Sequence, residues 1–293
     1  MPQRPDPNRP RPAKFTRPAR PAPAKQSKPS GMTHWAGVAD WYDKLVGDEG
    51  SEYQREVVLP GAMRLLGLKS GDRCADIACG QGVFCRMLAD RGVAVLGIDA
   101  AAPLIHAATA RQKNDASGSN TQIDYRVADA RELGILDAEG FDGAACLLAI
   151  QNINPIAPVF TGVARALKPW GRFVLAMMHP CFRSPKETGW GWDEQAGVQF
   201  RRVDRYLLPR KSPIVTHPGK DPDTYTWTFH KPIEAYARAL RNAGLLIDAI
   251  EEWPSHKLSD SGPRAAAENT AKKEIPMFLA IRAIKVPGMA GAT

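Results

Sequence analysis

The chain has 293 residues, 44% of them hydrophobic, and a net charge of +8. That length suffices for one large domain or two small ones, and that composition for a sizeable buried core. No run reaches the roughly 18 consecutive apolar residues of a membrane span, and the N-terminus lacks the apolar segment of a secretory signal. The five cysteines, Cys74, Cys79, Cys85, Cys146 and Cys181, form neither a disulfide-like framework nor a CxxC pair. They read as reduced thiols of a soluble, cytoplasmic protein with no membrane partner.

The charge is unevenly placed. Residues 1–34 carry eight basic side chains (Arg4, Arg9, Arg11, Lys14, Arg17, Arg20, Lys25, Lys28) against Asp6 alone, so +7 lies there and only +1 is left for the remainder. Nine of the 25 prolines also fall in residues 1–33. Proline removes main-chain donors, and little here is apolar, so residues 1–33 are expected to be a disordered Pro/Arg-rich tail. The prolines forbid the amphipathic helix of a mitochondrial transit peptide. The tail is a candidate nucleic-acid contact, although a solvated extension is the plainer reading.

Residues 34–46 show the spacing of a helix, with Trp35, Val38, Tyr42 and Leu45 on one side, and a second helix is expected over 51–66. Alternation follows: strand Arg73–Ala78, helix Val83–Arg91, strand Val93–Asp99, helix Pro103–Lys113 and strand Ile123–Asp129. Then come strand Phe141–Ala149, helix Ile156–Leu167 and strand Gly171–His179. Short apolar strands between helices indicate parallel pairing buried on both faces. Residues 180–230 are too long for a plain connection and hold Trp190, Trp192, Tyr206, Tyr225, Trp227 and Phe229, with 225–230 alternating like a strand. A segment of that kind is usually functional or carries its own small structure; here it reads as a substrate cover, or else as a small hydrophobic subdomain with solvated charges. Helix Pro232–Asn242, strand Leu245–Trp253, a polar insertion over 254–274 and strand Met277–Lys285 complete a domain spanning 34–286, with 287–293 a flexible end.

Chemistry concentrates at three strand ends. The run Asp76-Ile-Ala-Cys-Gly-Gln-Gly82 is a strand leading into a turn whose glycines let a ligand reach bare amides at the start of a helix. The dinucleotide fingerprint G-x-G-x-x-G requires glycine where Cys85 stands, which weakens a nicotinamide reading. Asp76 suits a ligand with a cationic amino group or sulfonium, or else satisfies loop amides as a buried acid. Asp99 ends the second strand, where acids accept from ribose hydroxyls; its simpler role is a helix N-cap. Asp129 ends the third strand and, with the Ala130 amide, suits an adenine edge. Three acids on successive strand ends share the edge at which open α/β sheets bind ligands.

These motifs, together with Gly97-Ile-Asp99, Val127-Ala-Asp129, Phe141-Asp142 and Leu167-Lys-Pro-Trp-Gly-Arg-Phe173, resemble the class I S-adenosylmethionine-dependent methyltransferases over roughly residues 70–180. The resemblance implies a doubly wound, mostly parallel α/β sheet of seven strands in the order 3-2-1-4-5-7-6, the last antiparallel. It implies S-adenosyl-L-methionine as cofactor, held by Asp76, Cys79, Gly80, Gln81, Gly82, Asp99, Ala100, Asp129, Ala130, Gln151 and Asn152. Gly80 and Gly82 would pass the methionine part, Asp99 would hold the ribose, and Gln151 and Asn152 would line the sulfonium side. Trp35 and Tyr42, within N-terminal helices over 34–70, look like the aromatic lid of small-molecule members, or else pack in the core.

The acceptor is less legible. Amino-methylating nucleic-acid enzymes carry Asn/Asp-Pro-Pro-aromatic after the fourth strand, and Asn154-Pro155 comes late and lacks the rest. His179, ending the fifth strand, is the candidate general base, or else a core residue. Cys181 invites a cytosine-methylating nucleophile, but Gln151 and Asn152 supply no partner for that chemistry, which leaves a structural thiol. Trp190 and Trp192 are candidate substrate contacts, and no metal-ligand cluster is apparent. The expected enzyme transfers a methyl group to an oxygen, nitrogen or carbon of a small molecule. The alternatives are an RNA or protein methyltransferase tethered by the tail, a non-catalytic cofactor-binding protein and an NAD-dependent dehydrogenase.

Overall fold

Along the chain, apolar runs and amphipathic stretches take the regular structure their periodicities require. The computed structural model describes residues 35–114, 123–217 and 221–288. The tail over 1–33, His34, and residues 289–293 of the expected flexible end lie outside the described residues.

A short 3₁₀ turn leads into helix α1 (Ala39–Val46), and a π-helical stretch Gln54–Val58 runs directly into α2 (Leu59–Leu66). Then strand β1 (Arg73–Ile77), α3 (Val83–Ala89), β2 (Ala94–Asp99), α4 (Ala102–Asn114) and β3 (Ile123–Val127) alternate. They are followed by β4 (Phe141–Leu147), α5 (Ala157–Ala166) and β5 (Leu167–Met178). The segment 180–230 folds into two antiparallel hairpins, β6 (Thr188–Asp193) with β7 (Val198–Val203), and β8 (Arg210–His217) with β9 (Asp221–His230). Helix α6 (Ile233–Asn242), strand β10 (Leu245–Trp253), helix α7 (Ala265–Glu274) and strand β11 (Phe278–Lys285) close the chain.

Seven strands form one sheet in the order β3-β2-β1-β4-β5-β11-β10. The first five pair in parallel, and β11 runs antiparallel to both β5 and β10. This is the expected 3-2-1-4-5-7-6 topology. Burial explains the strand sequences. In β1 and β2 every residue between the first and the strand's end is buried, because helices cover both faces, whereas β10 at the edge alternates.

The two faces make separate cores. Ala75, Ile77, Phe173, Leu175 and Met177 point toward Phe160 and Val163 of α5 and Tyr236 and Leu240 of α6. Their neighbours Cys74, Val95, Val174 and Ala176 meet Leu59 and Leu66 of α2 and Phe84 and Leu88 of α3. Helix α7 arises within 254–274, where the sequence suggested only a polar insertion. Its run Ala-Ala-Ala-Glu-Asn-Thr-Ala-Lys-Lys-Glu is rich in strong helix formers but buries only Ala271. Among the described residues no helix is long and apolar enough to cross a membrane.

Candidate functional site

The turn after β1 has tightly constrained geometry. Ala78 has φ 58°, and Gly80 and Gly82 have φ 57° and 79°. A side chain on Gly82 would drive its Cβ into the Tyr125 hydroxyl, so glycine there admits the ring of β3 behind the turn. The Gly80 N–H donates to Oδ2 of Asp99 at 2.9 Å, while the Ala101 N–H donates to Oδ1 at 2.8 Å. Burial raises the Asp99 carboxyl above its ordinary range, and the amides of Ala101, Gly80 and Ala100 pull it back. Asp99 therefore fixes both the bend that leads into α4 and the glycine turn.

At the end of β3, Asp129 accepts from the Arg131 main-chain N–H at 2.8 Å and from its guanidinium. The Arg131 hydrogen bond holds this carboxyl below the usual range. Past β4, Leu148, like Ala78, is a non-glycine residue in the left-handed region, at φ 55°. Backbone conformations of this kind cost about 1–3 kcal/mol each and persist where the surroundings impose them. Both Ala78 and Leu148 face the same cleft.

That cleft holds about 250 Å³ over the ends of β1 to β4. Ala78, Gly80, Asp99, Ala100, Asp129, Ala130 and Asn152 form its sheet side. Trp35 and Tyr42, in edge-to-face contact with centroids 5.5 Å apart, close it from the N-terminal segment. Thr226, Trp227 and Phe229 of β9 form another wall. Burial, reinforced by the Asp99 charge, pushes the Tyr42 phenol up to about 12, so it stays protonated at neutral pH. Helix α1 and the turn after it are fastened by Arg111 of α4 to Asp43 at 3.0 Å and Asp48 at 2.7 Å. Gln81 Nε2, donating to the Gly47 carbonyl at 2.7 Å, adds a third tie.

Several of the expected site residues are not brought to the cleft. Asp76 is only 2% exposed and accepts from Cys85 Sγ at 3.2 Å beneath the turn, where burial raises its carboxyl to about 7. Cys79, Gln81 and Gly82 shape the turn without lining the cleft, and Gln151 turns its amide to the Leu148 carbonyl at 2.7 Å. His179 is 1% exposed, and its ring nitrogens are committed. Nδ1 accepts from the Cys181 and Phe182 amides at 3.2 and 3.4 Å, and Nε2 lies 2.8 Å from Glu252 Oε1. The candidate base thus ties the start of the cover to β10, away from the cleft. Trp190 and Trp192 also stand elsewhere: Trp190 stacks with Arg183 and Arg201, and Trp192 with Arg264.

Sequence reasoning passed over Arg131, Leu148 and Thr226 as site residues, and named Trp227 and Phe229 only within the cover. Arg131, two residues after Asp129, was a readable signal for a local ion pair. Which aromatic pair of the cover faces the sheet depends on how each hairpin docks, and no local pattern encodes that.

The donor set fits a nucleoside bearing an amino acid. Ala78 and Gly80 line the cleft, and the Asp99 carboxylate, which offers about four acceptor sites, has capacity beyond its main-chain bonds. Asn152 Oδ1 is buried in the cleft wall with no partner among the described residues. The fold and this edge define a doubly wound nucleoside-binding protein.

Comparison with known proteins agrees. A family model described as a methyltransferase domain matches residues 75–175. The solved S-adenosylmethionine-dependent methyltransferase from Mesorhizobium loti is 30% identical, with a TM-score of 0.59, 77% of this chain and 96% of that one being covered. Geranyl diphosphate C-methyltransferase from Streptomyces coelicolor A3(2), solved with S-adenosyl-L-homocysteine, shares the fold at 16% identity and a TM-score of 0.54, over 79% and 78% of the two chains. The ubiquinone biosynthesis O-methyltransferase of Xanthomonas axonopodis pv. citri (strain 306) is 29% identical over 62% of this chain, and the chain spans 65% of that enzyme's length. The chain belongs to the class I S-adenosylmethionine-dependent methyltransferases. Its cofactor is therefore S-adenosylmethionine, and the dehydrogenase alternative is set aside.

Proposed function

We propose that this chain methylates a small molecule whose flat, largely apolar body enters between Trp35, Tyr42, Trp227 and Phe229. The observation that supports this reading most directly is that aromatic wall, which stands over the same strand ends as Asp99, Asp129 and Asn152. Rings of this kind give a narrow, low-polarity slot suited to a small planar acceptor.

When bound, S-adenosylmethionine supplies an electrophilic methyl group on a sulfonium. Asp99, Asn152, and Asp129 with Ala130 would hold it against the main chain of Ala78 and Gly80. The aromatic wall excludes water and orients the acceptor, so that alignment carries much of the rate. Among the described residues the cleft lining holds no histidine, lysine or cysteine, and Tyr42 is held protonated. The residues at hand thus bind and orient.

The test is transfer of labelled methyl from the cofactor to fractionated metabolite pools, with RNA and protein fractions in parallel. Label in small molecules that disappears with Trp227→Ala supports the reading. Label only in macromolecules would replace it with a tail-tethered RNA or protein methyltransferase.

A further inference from the structure

Beside the aromatic wall stand two ammonium groups that the reaction described above does not use. Side chains alternate along β9: Thr226, Thr228 and His230 are buried, and Trp227 and Phe229 form the other row, which Lys231 continues just past the strand. Across the hairpin Phe229 pairs with Lys211, which therefore shares its face. Lys211 Nζ lies 3.8 Å from the centre of the Trp227 ring, and Lys231 Nζ 5.3 Å from that of Phe229. Lys231 Nζ also donates to the carbonyl of Ile153 at 3.3 Å. Trp227, Phe229 and Ile153 all line the cleft.

These two cations differ from the others nearby. Arg131 is matched by Asp129, and Arg111 by Asp43 and Asp48. Among the described residues no carboxylate lies within ion-pair distance of Lys211 or Lys231. Lys231 is half-buried, and one long bond to a carbonyl serves an ammonium with three donors. Burial alone lowers it to about 8, with no acid acting against the shift. A desolvated cation without a counter-charge costs free energy that an anionic ligand would offset.

We propose that the acceptor is a small aromatic acid, its ring against Trp227 and Phe229 and its carboxylate or phosphate paired with Lys231, with Lys211 as the second cation. This rests on the reading of the cleft as the acceptor site. Arg131, already engaged by Asp129, contributes field rather than a direct pair.

The experiment is calorimetric titration of the protein, saturated with S-adenosyl-L-homocysteine, with benzoate, phenyl phosphate and the uncharged benzamide. At least one anion should bind about tenfold or more tighter than benzamide, as a charge-assisted pair requires, and which anion binds decides between carboxylate and phosphate. Lys231→Met should abolish that preference, Lys231→Arg should keep it, and Lys211→Met should reduce it. Equal affinity for all three probes, no binding of any, or a preference unchanged in Lys231→Met would overturn the assignment. If S-adenosyl-L-homocysteine binds wild type and Lys231→Met alike while the preference is missing, only the anion assignment falls. If wild type does not bind it, the methyltransferase reading falls as well. Melting curves of the variants separate misfolding from lost recognition.

Discussion

The main-chain amide of Gly80 is hydrogen-bonded to the carboxylate of Asp99 across 2.9 Å, which joins the turn after β1 to the end of β2. Asp99→Ala removes the partner of two amides as well as a ligand group. It should weaken S-adenosyl-L-homocysteine binding about 10- to 100-fold and destabilise the free protein by about 1–3 kcal/mol. Calorimetry and urea denaturation together check this. Loss of affinity with stability unchanged would mean that Asp99 acts on the ligand alone.

Gly82 should be intolerant for a different reason. Gly82→Ala pays about 1–2 kcal/mol for the left-handed backbone and also drives its Cβ into Tyr125. A total loss of about 2–4 kcal/mol is expected. In the double variant with Tyr125→Leu the steric part should vanish and leave the backbone part. Denaturation of the four proteins in the cycle measures the coupling.

Asp76 makes stability depend on pH. Unfolded, its carboxyl titrates near ~3.9; folded, burial raises it to about 7. Between those values the folded state keeps a proton that the unfolded state has lost. Its contribution to stability is therefore fully present below pH ~4 and is lost as pH rises to about 7. Asp76→Asn, which never ionises, should be the more stable protein at pH 8, by up to about 4 kcal/mol without cofactor, and should show little gain at pH 4.5. Urea midpoints of both proteins at the two pH values test it.

His179→Gln should leave methyl transfer within about twofold of wild type while lowering stability by about 1–2 kcal/mol through the lost Glu252 contact. Burial lowers the imidazole's affinity for a proton, and Nδ1 accepts from two amides, which leaves the proton on Nε2 toward Glu252. The check is the pH dependence of turnover, which should have the same shape in the two proteins. A lost inflection near neutrality in the variant would return His179 to the chemistry.

The central sheet and its ligand edge were legible because parallel strands buried on both faces leave unbroken apolar runs, and because Asp99 and Asp129 end two of those runs. Of the two readings of Asp76, the structure shows the buried acid rather than a group lining the cleft. Its position in β1 is as read, but a strand residue one place from Ile77 points into a face, here toward Cys85, rather than out over the edge. Trp190 and Trp192 look like Trp227 and Phe229 in sequence, and only the docking of each hairpin separates them. Helix α7 escaped because it lacks an apolar stripe. His179 carried a residue type suited to catalysis at a plausible strand end, and Glu252, which engages it, is 73 residues away.

Arg111, Asp43 and Asp48 bear on how quickly spent cofactor leaves. Trp35 and Tyr42 sit on a segment whose outer side is secured by charges partly open to water. Counterions weaken such clasps within a Debye length of about 8 Å at physiological strength. Added salt should therefore speed nucleoside exchange, and if departure limits turnover, the enzyme should run faster in brine than in dilute buffer.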